Sequence, residues 1–245
     1  RALGGEGQYG PLVRGSALLR QALTGLGLAA LTAMPAVAQD CRLALLLGMD
    51  VSASVDAQEY LLQQNGLIAA LLSDEVQAGF LEGPGPVAFS VYEWSGRFQQ
   101  DVLVPWTMVT SEAERATIAE QISQGSRRAT DFPTALGYAL GFAADMFAQA
   151  PQCLFNTLDV SGDGQNNYGF APSSAYSHFP LDGITVNGLA IGGAQREIAE
   201  YYEQEIIRGP GAFVEFASNH DDFAEAMQRK LERELRVMIL GELVR

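Results

Sequence analysis

The sequence predicts an α/β domain: a doubly wound, mostly parallel sheet with one antiparallel edge strand and helices on both faces. Three observations predict it. Strand-like runs alternate with helical segments almost to the C-terminus. The run Arg42 to Met49 is almost wholly apolar, as strands covered on both faces are. The composition is globular, with 48% hydrophobic and 18% charged residues, and 245 residues suit one large domain better than two small ones.

Residues 1–38 read as a secretory signal peptide, and 39–245 as the mature domain. Arg14 and Arg20 supply positive charge, Ala22 to Leu31 is a short apolar stretch, and Ala36-Val37-Ala38 is a cleavage pattern after Pro35. The alternative is an N-terminal helix packed on the domain. The apolar run is too short and glycine-rich for a membrane span, so no stable span is expected after cleavage.

The mature elements follow in order. After the first strand, Asp56 caps a helix to about Leu72, with Tyr60, Leu61, Leu67, Ile68 and Leu71 expected on its inner face. Glu82 to Pro86 is a turn. Val87 to Trp94 and Asp101 to Trp106 are strands, and the short Ser95-Gly96-Arg97 link makes them an antiparallel edge hairpin. Ser111 and Glu114 form a capping box for a helix to about Ser123. Gly125 to Phe132 is a polar loop, and Pro133 opens a helix to about Ala150. Leu154 to Val160 is a strand, followed by a loop to about Asp182. Ile184 to Ile191 is a strand and Gln195 to Ile207 a helix. Ala212 to Phe216 is a short strand. A last helix runs from about Asp221 to Leu240, with Phe223, Met227, Leu231 and Leu235 on one stripe.

The formal charge is −14 and the pI about 4.4. Lys230 is the one lysine, and no basic stripe exists, so nucleic-acid binding is excluded as a function. An acidic surface also repels anionic lipid headgroups.

Two cysteines occur, Cys41 and Cys153. In an exported protein an even count invites a disulfide, though two buried thiols fit the same count. Each cysteine starts an apolar run. If those runs are neighbouring parallel strands, both sulfurs lie at the same end of the sheet, within bridging reach.

Ligands of open α/β sheets bind beyond the carboxyl ends of the strands. Three polar clusters should converge there: Asp50, Ser52 and Ser54 after the first strand, Thr130 and Asp131 in the polar loop, and Asp163 within Gly162-Asp163-Gly164. Hard oxygens of this kind suit a hard divalent cation such as Mg2+.

This set resembles the metal ion-dependent adhesion site of von Willebrand factor type A domains, and the resemblance covers about Arg42 to Leu240. Asp50, Ser52 and Ser54 match that family's D-x-S-x-S. Thr130 matches its threonine, because Ala135-Leu136 follows at the family's spacing, and Asp163-Gly164 matches its third element. Within the family the chain looks most like an exported bacterial group of unknown function, on Asp159 to Gly164 and Asn166-Asn167.

The resemblance implies a Mg2+ (or Mn2+ or Ca2+) site built from Asp50, Ser52, Ser54, Thr130 and Asp163, with one position open to an acidic side chain of a partner protein. It implies residence in the bacterial periplasm or outside the cell. The family's strand order sets the first and fourth strands side by side, which also permits the Cys41–Cys153 bridge. Asp159, a carboxylate inside a buried strand, needs a partner and is expected to support the site from behind. Asp131 is expected to cap the following helix, or to support the ion as a lesser role. Arg127 and Arg128, close by, are expected to be solvated loop charges.

Each residue also has a plainer role. Asp50, Ser52 and Ser54 alone are compatible with an Asx turn and capping hydroxyls, and Thr130 and Asp163 with ordinary loop and turn positions. Two other functions compete with partner binding: an exported hydrolase using the same strand-end cleft, and a purely structural secreted domain. No G-x-S-x-G, P-loop or dinucleotide fingerprint occurs, and there are only two histidines, His178 and His220. The expectation is therefore a binding protein and not an enzyme.

Overall fold

The first strand, β1 (Cys41–Asp50), is buried along its whole length and lies at the centre of a six-stranded sheet. The structure is a computed structural model, in which residues 41–128, 130–192 and 196–242 are described. The chain divides into two units, Arg1–Val37 and Ala38–Arg245. The expected signal peptide lies outside the described residues.

Around β1 stand β2 (Val87–Trp94), β3 (Gln100–Val109), β4 (Cys153–Gly162), β5 (Ile184–Ile191) and β6 (Val214–Ala217), in the order β3-β2-β1-β4-β5-β6. Among these strands the β2–β3 pair is antiparallel and the other neighbouring pairs are parallel. The edge hairpin thus forms as expected. β3 runs further than expected, to Val109, with register irregularities near Val91.

Alternation along β1 sends Leu43, Leu45, Leu47 and Met49 to one face, where they meet α1 (Ala57–Leu72), α2 (Asp74–Leu81), α3 (Glu112–Ser123) and α7 (Phe223–Glu242). Leu46 faces the other side, against α4 (Leu136–Phe147), α5 (Pro172–His178) and α6 (Glu197–Glu205).

Asp56 caps α1 as expected, in a reciprocal capping box with Glu59. The inner face of α1 differs from the expected one. Leu61 is 51% exposed, while Gln63 and Gly66 are buried. A side chain on Gly66 would meet Phe223 at 2.8 Å, so this position serves close helix approach. Two short helices were not expected. α2 is capped by Ser73 at the end of α1, and α5 has Pro172 in its first turn. Helix α4 begins at Leu136, a turn after Pro133.

Cys41 and Cys153 are direct register partners on β1 and β4, and they form a disulfide. It closes a loop with a sequence separation of 112, for which chain entropy gives about 4 to 5 kcal/mol. Among the described residues no helix is long and apolar enough to cross a membrane.

Candidate metal centre

The strand order reverses between β1 and β4: β2 lies on one side of this pair and β5 on the other. Such a switch point leaves a crevice beyond the strand ends. Asp50 ends β1 and Asp163 directly follows β4, so both carboxylates come to that crevice.

Asp50 is 0% exposed. Its Oδ1 accepts the Ser52 N–H at 2.8 Å, which folds the turn back on the strand end. Its Oδ2 is buried with no hydrogen-bond partner among the described residues. Burial, and then the charge of Asp163, pushes the Asp50 carboxyl up to about 7. Gly162 makes this packing possible. A Cβ there would stand 2.5 Å from Tyr202 Oη and 2.8 Å from Asp50 Oδ2. Tyr202 is itself buried, and its hydroxyl has no partner among the described residues.

From Asp50 a chain of oxygens leads outward. Ser52 Oγ lies 3.1 Å from Ser54 Oγ, and Ser54 Oγ donates to Asp163 Oδ1 at 2.6 Å. Ser52 is buried, whereas Ser54 is exposed and Asp163 half-buried, so the cluster opens to solvent on one side. Ser52 Oγ also lies 3.3 Å from Thr134 Oγ1, a residue the sequence reading did not single out.

Four of the expected residues therefore meet: Asp50, Ser52, Ser54 and Asp163. Thr130 is placed differently. It is exposed, and its hydroxyl donates to Asp131 Oδ2 at 3.1 Å. Asp131 is exposed and does not cap α4, which has no side-chain cap from its N-cap residue. The cap groups come from another loop: Thr134 N donates to Asn167 Oδ1 at 3.0 Å, and Gly137 N to Asn166 Oδ1 at 3.4 Å.

Arg127 is more than a solvated loop charge. One of its guanidinium nitrogens donates to the carbonyl oxygens of Ser52 at 2.8 Å and Thr130 at 3.3 Å, joining two loops of the site. Arg128 lies 3.9 Å from Asp101.

Asp159, expected to support the site, instead points to the opposite face of the sheet from Asp50 and has a cation of its own. Lys230 Nζ lies 3.0 Å from Asp159 Oδ1 and 2.8 Å from Glu234 Oε1, and all three side chains are buried. Asn187 donates to Glu234 Oε1 at 2.6 Å. Burial raises the Asp159 carboxyl, and the Lys230 charge opposes that rise.

Among the described residues no group of three or more His, Cys, Asp or Glu side chains is placed to hold a metal ion. The cluster has a different donor chemistry, two carboxylates with hydroxyls, all hard oxygen. That set, with an orphaned buried carboxylate oxygen inside it, fits a hard divalent cation. The histidines lie elsewhere in the contact pattern: His220 pairs with Glu59 at 3.1 Å, and His178 with the Ser174 carbonyl at 2.8 Å.

No curated protein matches the chain by sequence. Several solved structures share the fold. Proximal thread matrix protein 1 from the mussel byssus aligns with TM-score 0.58 at 15% identity, over 78% of this chain and 48% of that one. A structure of the same protein, described as having a zinc-occupied MIDAS motif, aligns with TM-score 0.54 at 16% identity, over 82% and 48%. A von Willebrand factor type A protein from Catenulispora acidiphila aligns with TM-score 0.57 at 15% identity, over 80% and 43%. The pilus adhesin SpaC from Lactobacillus rhamnosus GG aligns with TM-score 0.56 at 13% identity, over 81% and 30%. The chain thus spans less than half the length of these proteins, and at such identities the likeness is one of fold. That fold is the von Willebrand factor type A fold. A family model described as "Protein of unknown function (DUF1194)" matches residues 40–239, and the chain belongs to that family.

Proposed function

We propose that this protein is an exported, divalent-cation-dependent binding domain that takes an acidic group of a partner protein at the end of β1 and β4. The observation that carries it is the convergence of Asp50, Ser52, Ser54 and Asp163 beside a buried carboxylate oxygen with no partner among the described residues. Ser52 and Ser54 would give hydroxyl oxygens to the ion, and Asp50 and Asp163 charge. Mg2+ is the expected ion, with Mn2+ or Ca2+ as substitutes, since all three take oxygen donors. When bound, the ion supplies an electrophilic position for a carboxylate. With the carboxylates acting through bound water, the ligands on the ion itself would carry little negative charge, which favours a carboxylate from outside.

The fold neighbours lend support by analogy. One is described as having an occupied MIDAS motif, and another is a pilus adhesin. The reading includes cleavage of residues 1–38 and residence in the bacterial periplasm or outside the cell. It is a binding function and not catalysis, because His178 and His220 are engaged with partners outside the cluster.

The test is urea denaturation with increasing Mg2+ or Mn2+. Wild type should show a saturable stability gain, and Asp50→Ala should show none. Equal curves with ion and with chelator in the wild type would refute the metal site. Partner capture from exported proteins should then be lost in chelator and in Asp50→Ala. Capture that survives both would place the partner surface elsewhere.

A further inference from the structure

We propose that an open pocket on α4 is a second binding site, for the ring of a neutral pyranose sugar, apart from the cation cluster. The pocket has a volume of about 170 Å3, below the roughly 300 to 1,000 Å3 that holds drug-sized ligands, so it suits a single six-membered ring. Its walls are aromatic. Tyr138, Phe142 and Asp145 follow at i, i+4 and i+7 on α4, which gathers them on one helix face. Phe170 comes from the β4–α5 loop, and Phe179 directly follows α5.

Two glycines let these rings approach the helix. A Cβ on Gly137 would stand 2.6 Å from a ring carbon of Phe170, and one on Gly141 would stand 2.9 Å from Phe179 Cζ. Gly141 lies in the helix interior, where glycine is unfavourable, so the close ring contact costs helix stability. Tyr138 and Phe170 have ring centroids 4.4 Å apart, and Phe170 and Phe179 6.0 Å. Phe142 leans on the buried ring of Tyr92 at 5.3 Å. The four wall rings are braced, yet each stays half-buried.

The rim is polar and unpaired. The Arg97 guanidinium lies 4.8 Å from the ring centroid of Phe98 and 5.6 Å from that of Tyr138. Among the described residues neither this guanidinium nor the Asp145 carboxylate has a hydrogen-bond or ion-pair partner. Gln100 Nε2 donates to Gly96 O at 2.7 Å, which leaves the side-chain carbonyl oxygen as an acceptor. These groups select the class of ligand. A cation would meet Arg97, and an anion would meet Asp145. A plain hydrocarbon ring would cover both charges and pair neither. A pyranose carries no charge, has apolar C–H faces for the rings, and bears hydroxyls that each donate and accept. Its hydroxyls can donate to Asp145 and Gln100 and accept from Arg97.

Saturation-transfer NMR on the whole protein in chelator tests this, with urea midpoints as a folding control. The sugars are glucose, mannose, N-acetylglucosamine and chitotriose, and the plain rings are p-cresol and L-phenylalanine. At least one sugar should bind, with saturation strongest at its ring C–H protons. Asp145→Ala should weaken that binding by about tenfold or more, as loss of a hydrogen bond to a charged group does. Asp145→Asn keeps an acceptor and should retain most of the affinity. Tyr138→Leu removes a ring face and should also weaken binding; if it lowers the urea midpoint, Asp145→Ala decides. Chitotriose binding more tightly than N-acetylglucosamine would support a glycan chain as the source, and equal binding a free sugar. A sugar that binds only with Mg2+ would sit at the cation cluster and overturn the assignment. Binding of p-cresol or L-phenylalanine with no sugar bound would overturn it in favour of an aromatic side chain. No binding at all, or sugar binding unchanged in Asp145→Ala, would overturn it too, since Asp145 is exposed and its truncation leaves the fold intact.

Discussion

Asp50 and Asp159 are both buried carboxylates on adjacent central strands, 0% and 1% exposed. They face opposite sides of the sheet. Asp159 is the register partner of Leu47 and points to the α7 side, where Lys230 meets it at 3.0 Å. Asp50 follows Met49 and points the other way, toward Tyr202, with one oxygen unpartnered among the described residues. The fold uses its single lysine for the first charge and gives the second the Ser52 N–H. A buried charge needs a counter-charge. Where it is supplied internally the charge is structural, and where it is left out the proposed external cation would supply it.

The largest expected effect breaks the internal pair. Lys230→Met leaves Asp159 and Glu234 buried without their cation, and should cost about 3 to 5 kcal/mol in urea denaturation. The loss should be the same with Mg2+ or chelator. A loss that changed with Mg2+ would mean that the two carboxylates are not separate systems.

Glu93 sharpens the comparison as an intermediate case. It is buried, and Tyr60 Oη donates to its Oε1 at 2.7 Å. Burial pushes its carboxyl up to about 7. The folded state therefore holds the Glu93 proton more tightly than the unfolded chain does. Its contribution to stability is full below about pH 4.5 and is lost as pH rises to about 7, by about 3 kcal/mol in all. Glu93→Gln should remove this part of the pH dependence and be the more stable protein at pH 8. Parallel pH profiles for the two proteins would contradict this.

Asp50→Asn is expected to act in the opposite direction to Lys230→Met. In chelator it removes a buried, half-satisfied charge and should raise stability by about 1 to 3 kcal/mol. With Mg2+ it should show no further gain. Ser54→Ala is the smallest change. It deletes an exposed hydrogen bond to Asp163 and should cost about 0.5 to 1 kcal/mol without ion. A Ser54→Ala loss as large as that of Lys230→Met would show that the outer rim is structural too.

Much of this was legible in the sequence. The apolar run of β1, the Asp50-to-Ser54 turn and the hairpin at Ser95 rest on local periodicity and turn chemistry, which a sequence displays directly. The Cys41–Cys153 bridge follows from the parallel register of two matching runs. Helix α2 was missed because Ser73 both ends α1 and caps the next helix, leaving no polar gap. Leu61 was misplaced because the inner face of α1 uses Gln63 and Gly66, which hydrophobicity does not mark. Lys230 reads as an ordinary surface residue on an amphipathic helix. Its partner Asp159 lies on a distant strand, and no local pattern links the two. Thr134 was hidden for another reason. Motif spacing does not separate the two threonines, because Ala135-Leu136 follows Thr130 and Ala139-Leu140 follows Thr134 at the same distance; the contacts with Ser52 and Asn167 distinguish them.

The most direct test of an external cation at Asp50 is a crystal grown in Mn2+ and measured for anomalous scattering. A single strong peak should lie among the oxygens of Asp50, Ser52, Ser54 and Asp163, with Thr134 beside it and Lys230 on the far side of the sheet. Saturating Mn2+ with no peak at that position would contradict the proposed function.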